Sequence, residues 1–388
     1  MNIYERSLAS HRKWRGKVAI ASKASVKNAD DLSLAYSPGV AEPCRQIAKD
    51  KSKVYEYTGK GNTIAVVSDG SAVLGLGNIG PDAALPVMEG KALLFKEFAD
   101  VDAIPICLNT QDPDVIVQVV KSLEPTISGV NLEDISAPRC FEIEERLKKE
   151  TDMFIFHDDQ HGTAVVVLAG LINALRVVGK DKNCTIVVNG VGAAGGAIIR
   201  LLLKAGYKNI RPCGREGLLY PGNPSNNSTQ EELAQITNPD GKRQGLAEAI
   251  VGADVFIGVS VADVLTPDMV RSMGEKPIVM ALANPEPEIA VDLALEAGAA
   301  VVATGRSDYP NQINNVLGFP GIFRGALDVR ASDINDAMKV AAAQAIADLV
   351  PEPSAECIIP SPFDPKVVEA VAQAVRQKAR ETGVAREV

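Results

Sequence analysis

The chain has 388 residues, which is more than a single hydrophobic core usually organises, so two domains are expected. Hydrophobic residues make up 46% and charged residues 23% of the chain, as in ordinary globular proteins. The formal net charge of −9 argues against nucleic acid or an anionic membrane surface as a partner, since either would repel the protein.

Neither a targeting segment nor a disulfide framework is expected. The stretch from Met1 to Arg15 is polar and of mixed charge, and no apolar run is expected to reach the length needed to span a bilayer. The six cysteines are scattered without a C-x-x-C pair, which favours reduced, mostly buried thiols over disulfides or a zinc site. These features predict a cytoplasmic protein with no membrane and no nucleic-acid partner.

Strand-like apolar runs alternate with amphipathic helical runs, which is typical of an α/β fold with a mainly parallel sheet. In the first half we predict strands at 63–68, 103–108, 128–132 and 152–156, with helices at 84–98, 113–122 and 141–150 between them. An apolar helix at 163–178 leads into a second series, and the domain boundary is placed near His161. That series has predicted strands at 185–188, 255–259, 278–282 and 300–303, a surface loop at 221–230, and final helices at 334–349 and 366–381.

A glycine-rich turn follows the first strand of the second series, with the pattern G-x-G-x-x-G and an apolar helix after it. Gly190 permits the tight turn, Gly192 lets the backbone approach a pyrophosphate, and Gly195 allows close helix–strand packing. The helix start at Ala193 and Ala194 offers free N–H groups to phosphates. The flanking strand and helix favour a dinucleotide site over a plain tight turn. We therefore predict two α/β domains, the C-terminal one a Rossmann-type doubly wound parallel sheet.

The residue expected to contact the adenosine ribose of the dinucleotide favours NADP over NAD. NAD enzymes of this fold place an acidic residue about 20 residues after the glycine turn. Gly214 stands there, followed by Arg215 and Glu216. Without a carboxylate at Gly214 there is no repulsion of the 2′-phosphate of NADP, and Arg215 could pair with that phosphate. Glu216 is close enough in sequence to bind the ribose hydroxyls instead, so NAD remains the alternative.

Two segments place carboxylates just after apolar strands, where ligands bind in open α/β sheets. One contains Glu133 and Asp134, and the other contains Asp158 and Asp159. Either segment alone is more simply read as solvated acids or helix caps. Converging carboxylates repel one another unless a cation neutralises them, and oxygen ligands suit Mg²⁺ or Mn²⁺. Adjacent strand residues point to opposite faces, so Glu133 and Asp134 can share an ion only if the strand ends between them.

His157 and His161 have the i, i+4 spacing of helical zinc ligands, but the sequence predicts a strand end and a turn at these positions. We therefore interpret them as histidines that hydrogen-bond and order the carboxylate loop.

Several further side chains have both a catalytic and an ordinary interpretation. Burial of Lys91 in its apolar helix would lower its pKa towards the range of a general base, unless the side chain snorkels to the surface. Tyr36, at a Pro-Gly turn, is either a positioned acid or a packing residue. Asn284, Asn314 and Asn315 could orient a carboxylate or the nicotinamide amide, although asparagine also favours turns.

Taken together, these segments closely resemble the malic enzyme family in its short bacterial and archaeal form. The resemblance implies a malic enzyme catalytic and substrate domain over residues 1–160, and an NAD(P)-binding Rossmann domain with C-terminal helices over 161–388. It implies L-malate as the substrate and a homodimer or higher homo-oligomer. The matching stretches are 36–41, 74–80, 86–95, 131–136, 156–164, 190–195, 283–288 and 304–328.

The resemblance also implies roles for individual residues in metal-dependent oxidative decarboxylation of L-malate to pyruvate and CO₂. Lys91 corresponds to the general base, Tyr36 to the general acid, and Asp158 to a carboxylate near the lysine. The metal ligands would be Glu133, Asp134 and Asp159, and the residues touching substrate or nicotinamide would be Asn284, Asn314 and Asn315.

One position departs from the longer, eukaryotic-type members, which carry an arginine two residues after the Asp-Gly that is here Asp69-Gly70. Ala72 stands there in this chain. Either another cation binds the distal carboxylate of the substrate, or the specificity for malate is looser.

Three rival functions are considered. Malolactic conversion of L-malate to L-lactate and CO₂ with bound NAD needs the same parts. An amino-acid dehydrogenase is disfavoured by the set of Glu133, Asp134 and Asp159. A non-catalytic dinucleotide-sensing protein would have no use for Lys91 and Tyr36.

Overall fold

Apolar, largely β-branched runs form the strands of two sheets, because such runs can be covered by helices on both faces. In the computed structural model, which describes residues 2–73 and 75–386, one sheet has four strands and the other has six. Leu74, at the start of the segment 74–80, lies outside the described residues, as do the last two residues of the predicted C-terminal domain.

Four helices precede the first strand, and none of their described residues is buried. Several apolar side chains on this segment face solvent, including Tyr4, Leu34 and Tyr36, which are 81%, 71% and 70% exposed. The N-terminal segment therefore carries an apolar surface that the rest of this chain does not cover. The helices are α1 (Ile3–Trp14), α2 (Ala29–Ala35), α3 (Ala41–Lys49) and α4 (Val54–Tyr57).

The first sheet is parallel throughout, in the order β2-β1-β3-β4. Its strands and helices match the predicted ones to within about two or three residues at the ends, as expected for assignments from periodicity. The strands are β1 (Thr63–Ser68), β2 (Asp102–Cys107), β3 (Gly129–Leu132) and β4 (Phe154–His157), and the helices are α5 (Pro81–Ala99), α6 (Pro113–Ser122) and α7 (Arg139–Glu150).

The connecting helix α8 (Asp158–Val178) begins five residues earlier than predicted, directly at the end of β4. Asp158 and Asp159 lie in its first turn, where the helix dipole favours negative charge. By length and composition α8 could cross a membrane, so the expectation that no apolar run is long enough was wrong for this helix. However, 72% of its most apolar window is buried inside the protein, as is usual for a core helix.

The second sheet has the order β10-β9-β8-β5-β6-β7, with β7 as its antiparallel edge strand. The strand β5 lies between β6 and β8, so the chain after β5 leaves the sheet where the strand order reverses. This confirms the predicted Rossmann-type doubly wound sheet. Its strands are β5 (Ile186–Asn189), β6 (Ile210–Gly214), β7 (Gly217–Leu218), β8 (Val255–Gly258), β9 (Ile278–Ala281) and β10 (Val301–Thr304).

Helices cover both faces of the second sheet. The helices of this half are α9 (Ala193–Lys204), α10 (Ser228–Thr237), α11 (Leu246–Ala249), α12 (Pro267–Ser272), α13 (Val291–Glu296), α14 (Phe319–Asp328), α15 (Asp336–Asp348) and α16 (Lys366–Glu381). Of the last three, α14 lies against α5, α15 lies against α8, and α16 packs on α14 and α15.

Strand β6 was not among the predicted strands, because Arg211 and Pro212 interrupt its apolar run. Proline is tolerated here because the neighbouring strand β7 has only two residues and pairs with Cys213 and Gly214. The carbonyl of Pro212 still accepts a hydrogen bond from the Leu219 N–H at 2.8 Å.

A cluster of phenylalanines joins the two halves of the chain into one core. The ring of Phe323 on α14 lies 4.8 Å from Phe95 on α5, and 5.4 Å and 5.6 Å from Phe154 and Phe156 on β4. All four are buried, and side chains from both sheets belong to the same apolar cluster. The edge-to-face contacts therefore hold the C-terminal helices against the first sheet.

Substitution of Phe323 by alanine should therefore destabilise the whole protein rather than one sheet. We expect Phe323→Ala to lower the free energy of unfolding by about 3–5 kcal/mol, because it leaves a cavity at the shared core. Urea unfolding followed by circular dichroism measures this loss. Phe363→Ala, at a side chain 80% exposed, is the control and should change little. Equal stabilities of the two variants would contradict the shared core.

Candidate active site

Lys91 meets two carboxylates at the carboxyl ends of β3 and β4. These strands are neighbours, and Leu132 is in register with His157, so the residues that follow each strand lie side by side. Helix α5 brings the Lys91 Nζ to 2.7 Å from Asp158 Oδ2 and 2.9 Å from Glu133 Oε1. The sequence places these three residues far apart, and the parallel sheet brings them together.

The Lys91 side chain is only 11% exposed and its ammonium lies 4.3 Å from the centre of the Phe319 ring. Burial by itself lowers the Lys91 pKa, but the combined attraction of Asp158 and Glu133 is larger, so its pKa is raised. Of the two alternatives, burial rather than snorkelling is found, and the fall in the Lys91 pKa that burial alone predicted was wrong. The apolar helix indicated the loss of hydration but not which charges would face the ammonium.

Three carboxylates beside Lys91 are close enough to share one ion. One oxygen from each of Glu133, Asp134 and Asp159 lies within 4.8 Å of the others. Strand β3 ends at Leu132, before both acidic residues, and Asp134 has the left-handed φ of 55° that is uncommon outside glycine. This turn lets two consecutive carboxylates approach the same point, which an extended strand would prevent.

The electrostatics of these carboxylates suit a bound cation. Burial raises the pKa of Glu133 to about 8, and burial together with the neighbouring acids raises those of Asp134 and Asp159 to about 7. The Oδ2 atom of Asp134 is buried without a hydrogen-bond partner among the described residues. An unpaired buried oxygen within an all-carboxylate set fits a hard divalent ion such as Mg²⁺ or Mn²⁺.

The predicted asparagines occupy different surroundings. Asn315 donates from Nδ2 to Asp158 Oδ2 at 3.0 Å and to Thr163 Oγ1 at 3.2 Å, so it reaches the Lys91 cluster. Asn314 instead caps a short 3₁₀ helix by accepting from the Val316 N–H at 3.0 Å. Asn284 follows β9 and bonds to the Leu282 carbonyl at 3.3 Å. Contact of these residues with substrate or nicotinamide stays a prediction.

Tyr36 does not join this cluster within the chain. It ends helix α2, its side chain is 70% exposed, and among the described residues its phenol makes no hydrogen bond. A role as general acid therefore requires that the N-terminal segment, or the same segment of another copy, bring the phenol to the site.

The glycine-rich turn joins β5 to α9 at the centre of the second sheet. Gly190 has a φ of +100°, and a Cβ there would lie 2.5 Å from the Val259 carbonyl oxygen. A Cβ on Gly192, which precedes the first helical residues Ala193 and Ala194, would meet nothing within 4 Å. A Cβ on Gly195 would lie 1.8 Å from the Gly190 carbonyl oxygen. The backbone is thus tightly packed on one side and open on the side where a pyrophosphate would bind.

Family models match both halves of the chain. The malic enzyme N-terminal domain matches residues 15–148, and the malic enzyme NAD-binding domain matches residues 160–380. The chain therefore belongs to the malic enzyme family.

Individual members of the malic enzyme family are similar over the whole chain. A bifunctional malic/malolactic enzyme of Bacillus subtilis is 61% identical, covering 100% of this chain and 95% of that protein. An NAD-dependent malic enzyme of Geobacillus stearothermophilus is 57% identical, covering 100% of this chain and 81% of its own length. The crystal structure of malic enzyme from Pyrococcus horikoshii superposes with a TM-score of 0.96 at 52% identity, covering 100% of this chain and 93% of that one.

Two further buried polar residues were not predicted from the sequence, one in the Lys91 cluster and one at the ends of β8 and β9. Asn131 donates to Glu133 Oε2 at 2.7 Å and so orients that carboxylate. The buried Glu288 accepts from the Ser260 N–H at 2.7 Å and from the Ala283 N–H at 3.0 Å, which joins the ends of β8 and β9. For Asn131 the available signal was a polar residue inside the apolar strand β3. For Glu288 it was an acidic residue in the segment that follows the buried strand β9.

The two histidines, His157 and His161, are not arranged as a zinc pair. The predicted turn at His161 was wrong, because this residue lies in the first turns of α8 and His157 directly precedes the helix. Its Nε2 lies 2.7 Å from Glu144 Oε1 on α7, whereas His157 Nδ1 lies 2.8 Å from the Gln160 amide. Burial lowers both histidine pKa values to about 4. His157, at 3.4 Å from Asp159, is the one beside the carboxylate loop.

A guanidinium lies beside the turn that contains Asp69 and Ala72. The Ala72 N–H donates to the Asp134 carbonyl at 2.9 Å, which ties this turn to the acidic cluster. Arg139, at the start of α7, pairs with the buried Asp69 at 3.1 Å.

The carboxylate set can be tested by direct metal binding. We expect Asp159→Asn to weaken Mn²⁺ binding by more than about a hundredfold, because it removes one charged ligand from the set of three. Isothermal titration of the purified protein with Mn²⁺ measures the dissociation constant without turnover. Asp268→Asn is the matched control, since that side chain is 91% exposed on α12. Equal Mn²⁺ affinity in both variants would rule Asp159 out as a ligand.

Proposed function

We propose that this chain catalyses the oxidative decarboxylation of L-malate to pyruvate and CO₂, coupled to reduction of NADP or NAD and dependent on Mg²⁺ or Mn²⁺. The observation that carries the proposal is the contact of Lys91 with Asp158 and Glu133 beside the carboxylates of Asp134 and Asp159. It puts a proton-transfer group next to a set of ligands for a divalent ion. Membership of the malic enzyme family supports the same reaction.

In the proposed reaction Lys91, in its neutral form, accepts the proton of the C2 hydroxyl of L-malate. A dinucleotide bound at the glycine-rich turn would supply the acceptor for the C2 hydride. Asp158 holds the lysine in place, and Asn315 fixes that carboxylate in turn. After loss of CO₂, Tyr36 donates a proton to C3 of the enolate, which gives pyruvate.

Glu133, Asp134 and Asp159 are the residues that would hold the metal ion. When bound, such an ion would act as a Lewis acid that stabilises the developing enolate charge, and its positive charge would offset the carboxylates that raise the Lys91 pKa. The amides of Asn284, Asn314 and Asn315 are proposed to orient the substrate carboxylate and the nicotinamide.

We propose NADP as the favoured dinucleotide on the turn formed by Gly190, Gly192 and Gly195. Gly214 supplies no carboxylate to the ribose, and the exposed guanidinium of Arg215 makes no ion pair among the described residues. The family contains NAD-dependent and NADP-dependent members, so family membership leaves this choice open.

The second candidate is malolactic conversion, in which bound NAD is reduced and reoxidised internally and L-lactate leaves. It is favoured by the 61% identity to a relative named a bifunctional malic/malolactic enzyme. The same lysine, carboxylates and dinucleotide turn would serve it.

We further propose a homodimer or higher homo-oligomer in which a second copy covers the N-terminal helices. Their exposed apolar side chains, such as Tyr4 and Leu34, are costly to leave in water. The exposed position of Tyr36 on the same surface suits a phenol that serves the Lys91 site of the other copy. A cytoplasmic location is proposed as well, since all six cysteines are free thiols.

A single assay separates the two candidate reactions. The purified protein with L-malate, Mn²⁺ and either NADP or NAD should form pyruvate and an equal amount of reduced dinucleotide. The readouts are absorbance of the reduced nicotinamide and chromatography of the organic acids. Lactate without reduced dinucleotide would identify the malolactic reaction instead, and no turnover with either dinucleotide would refute both.

Mixing two inactive variants tests whether Tyr36 acts across an interface. Lys91→Ala and Tyr36→Phe should each lose most activity alone. If each site uses Lys91 of one copy and Tyr36 of the other, mixed dimers have one intact site, and random mixing restores about a quarter of wild-type activity. Co-expression with two affinity tags isolates the mixed dimers for assay. No recovery in mixed dimers would show that both residues act within one chain.

A further inference from the structure

The end of strand β6 presents two side chains to the dinucleotide site. Strand β6 pairs with β7 through Cys213–Leu218 and Gly214–Gly217, so Arg215 and Glu216 are the two central residues of a tight hairpin. Because β6 is also the neighbour of β5, the tip of this hairpin lies at the sheet edge beside the glycine-rich turn. In doubly wound dinucleotide domains this is where the adenosine ribose is read.

The hairpin is held in a fixed conformation by its last residue. Gly217 has a φ of +100°, and a Cβ there would lie 2.1 Å from the Gln244 carbonyl oxygen. The same carbonyl accepts a hydrogen bond from the Leu218 N–H at 2.8 Å. The tip therefore cannot easily change its backbone to present different residues.

The carboxylate of Glu216 is bound on both oxygens by the loop that follows the hairpin. Asn223 Nδ2 donates to Oε2 at 3.0 Å, and the Ser225 hydroxyl donates to Oε1 at 3.1 Å. The hydrogen bond from Asn223 has the larger effect and that from Ser225 the smaller. Together they lower the pKa of Glu216, which favours its ionised carboxylate. The Ser225 N–H bonds to Asn223 Oδ1 at 3.0 Å, which holds both donors in one turn.

This loop is anchored to the glycine-rich turn itself. Gln230 donates from Nε2 to the Val191 carbonyl at 3.0 Å, and it also closes a capping box with Asn227 at the start of α10. Asn223 is 8% exposed, so its amide is part of the packed loop and not a mobile surface group. The position of the two donors is therefore set relative to the dinucleotide site.

We propose that Asn223 and Ser225 determine the dinucleotide preference by holding the Glu216 carboxylate away from the adenosine ribose. A free carboxylate at the hairpin tip would accept the ribose hydroxyls of NAD and repel the 2′-phosphate of NADP. With Glu216 held by the loop, Arg215 is the side chain left to meet the ribose, and a guanidinium suits a phosphate. Asn223 and Ser225 are positioning residues. From the proposed function this inference needs only that a dinucleotide binds at the glycine-rich turn.

The test measures binding of NADPH and NADH without malate or metal, by the fluorescence of the reduced nicotinamide. Freeing Glu216 by the double substitution Asn223→Ala/Ser225→Ala should shift the ratio of the two dissociation constants about fivefold towards NADH, the size expected for one partly exposed charge. The shift is expected whichever dinucleotide the wild type prefers. An unchanged ratio in a folded variant would overturn the proposal.

A charge-free background separates release of the carboxylate from damage to the loop. In Glu216→Gln, the same double substitution should leave the ratio unchanged, because no charge is released. Asn226→Ala is the matched loop control, since Asn226 donates to the Tyr220 carbonyl at 3.1 Å and to Glu231 at 2.9 Å but does not bond to Glu216. An equal shift in either of these proteins would show that loop disruption, not the carboxylate, changes the ratio.

The two levels of inference fail separately. Malate turnover decides the proposed function, whereas the dissociation constants of NADPH and NADH are measured on the protein alone. A protein that binds both dinucleotides with the expected shift but does not turn over malate would refute the proposed reaction and support the role of Asn223 and Ser225. Turnover of malate with an unchanged ratio of the NADPH and NADH dissociation constants in every variant would support the proposed reaction and refute the role of Asn223 and Ser225.

Discussion

The site depends on one electrostatic constraint, which is the convergence of buried carboxylates around the Lys91 ammonium at the ends of β3 and β4. Anions that lose their hydration are costly, and this cost raises the pKa values of Glu133, Asp134 and Asp159. Lys91 bonds to Glu133 and Asp158 and so offsets part of the repulsion. The remaining excess of negative charge is the physical reason for proposing a divalent ion there.

Helix α8 maintains this arrangement because its first turn lies in the carboxylate cluster while the rest of the helix is anchored in the core. Its first turn contains Asp158 and Asp159, while its body is buried in the apolar core that both sheets share. Asn315 and Phe319, which follow the second sheet, return to contact Asp158 and Lys91. Residues that follow the second sheet thus help to position a lysine of the first half of the chain, so the proposed proton-transfer group is connected to the part of the fold that contains the proposed dinucleotide site.

The proposed choice of dinucleotide depends on much weaker and more local interactions. In this proposal a hairpin tip of two residues and a polar loop decide which charge faces the ribose, and neither belongs to the core. Exposed hydrogen bonds of this kind contribute little to stability, yet a single carboxylate or guanidinium beside a phosphate changes its binding. Members of one family can therefore share fold and chemistry while their dinucleotide preferences differ.

The sequence by itself determined the fold class, the four strands of the first sheet, four of the six strands of the second, the glycine turn and the acidic segments. These features depend on local periodicity and on residue types at strand ends. The sequence did not identify β6, whose Pro212 breaks the apolar pattern, nor the early start of α8. Tertiary structure alone decided which charges face Lys91, that Asn315 and not Asn314 reaches Asp158, and that Tyr36 lies outside the cluster. These depend on contacts between residues far apart in the chain, about which local patterns contain no information.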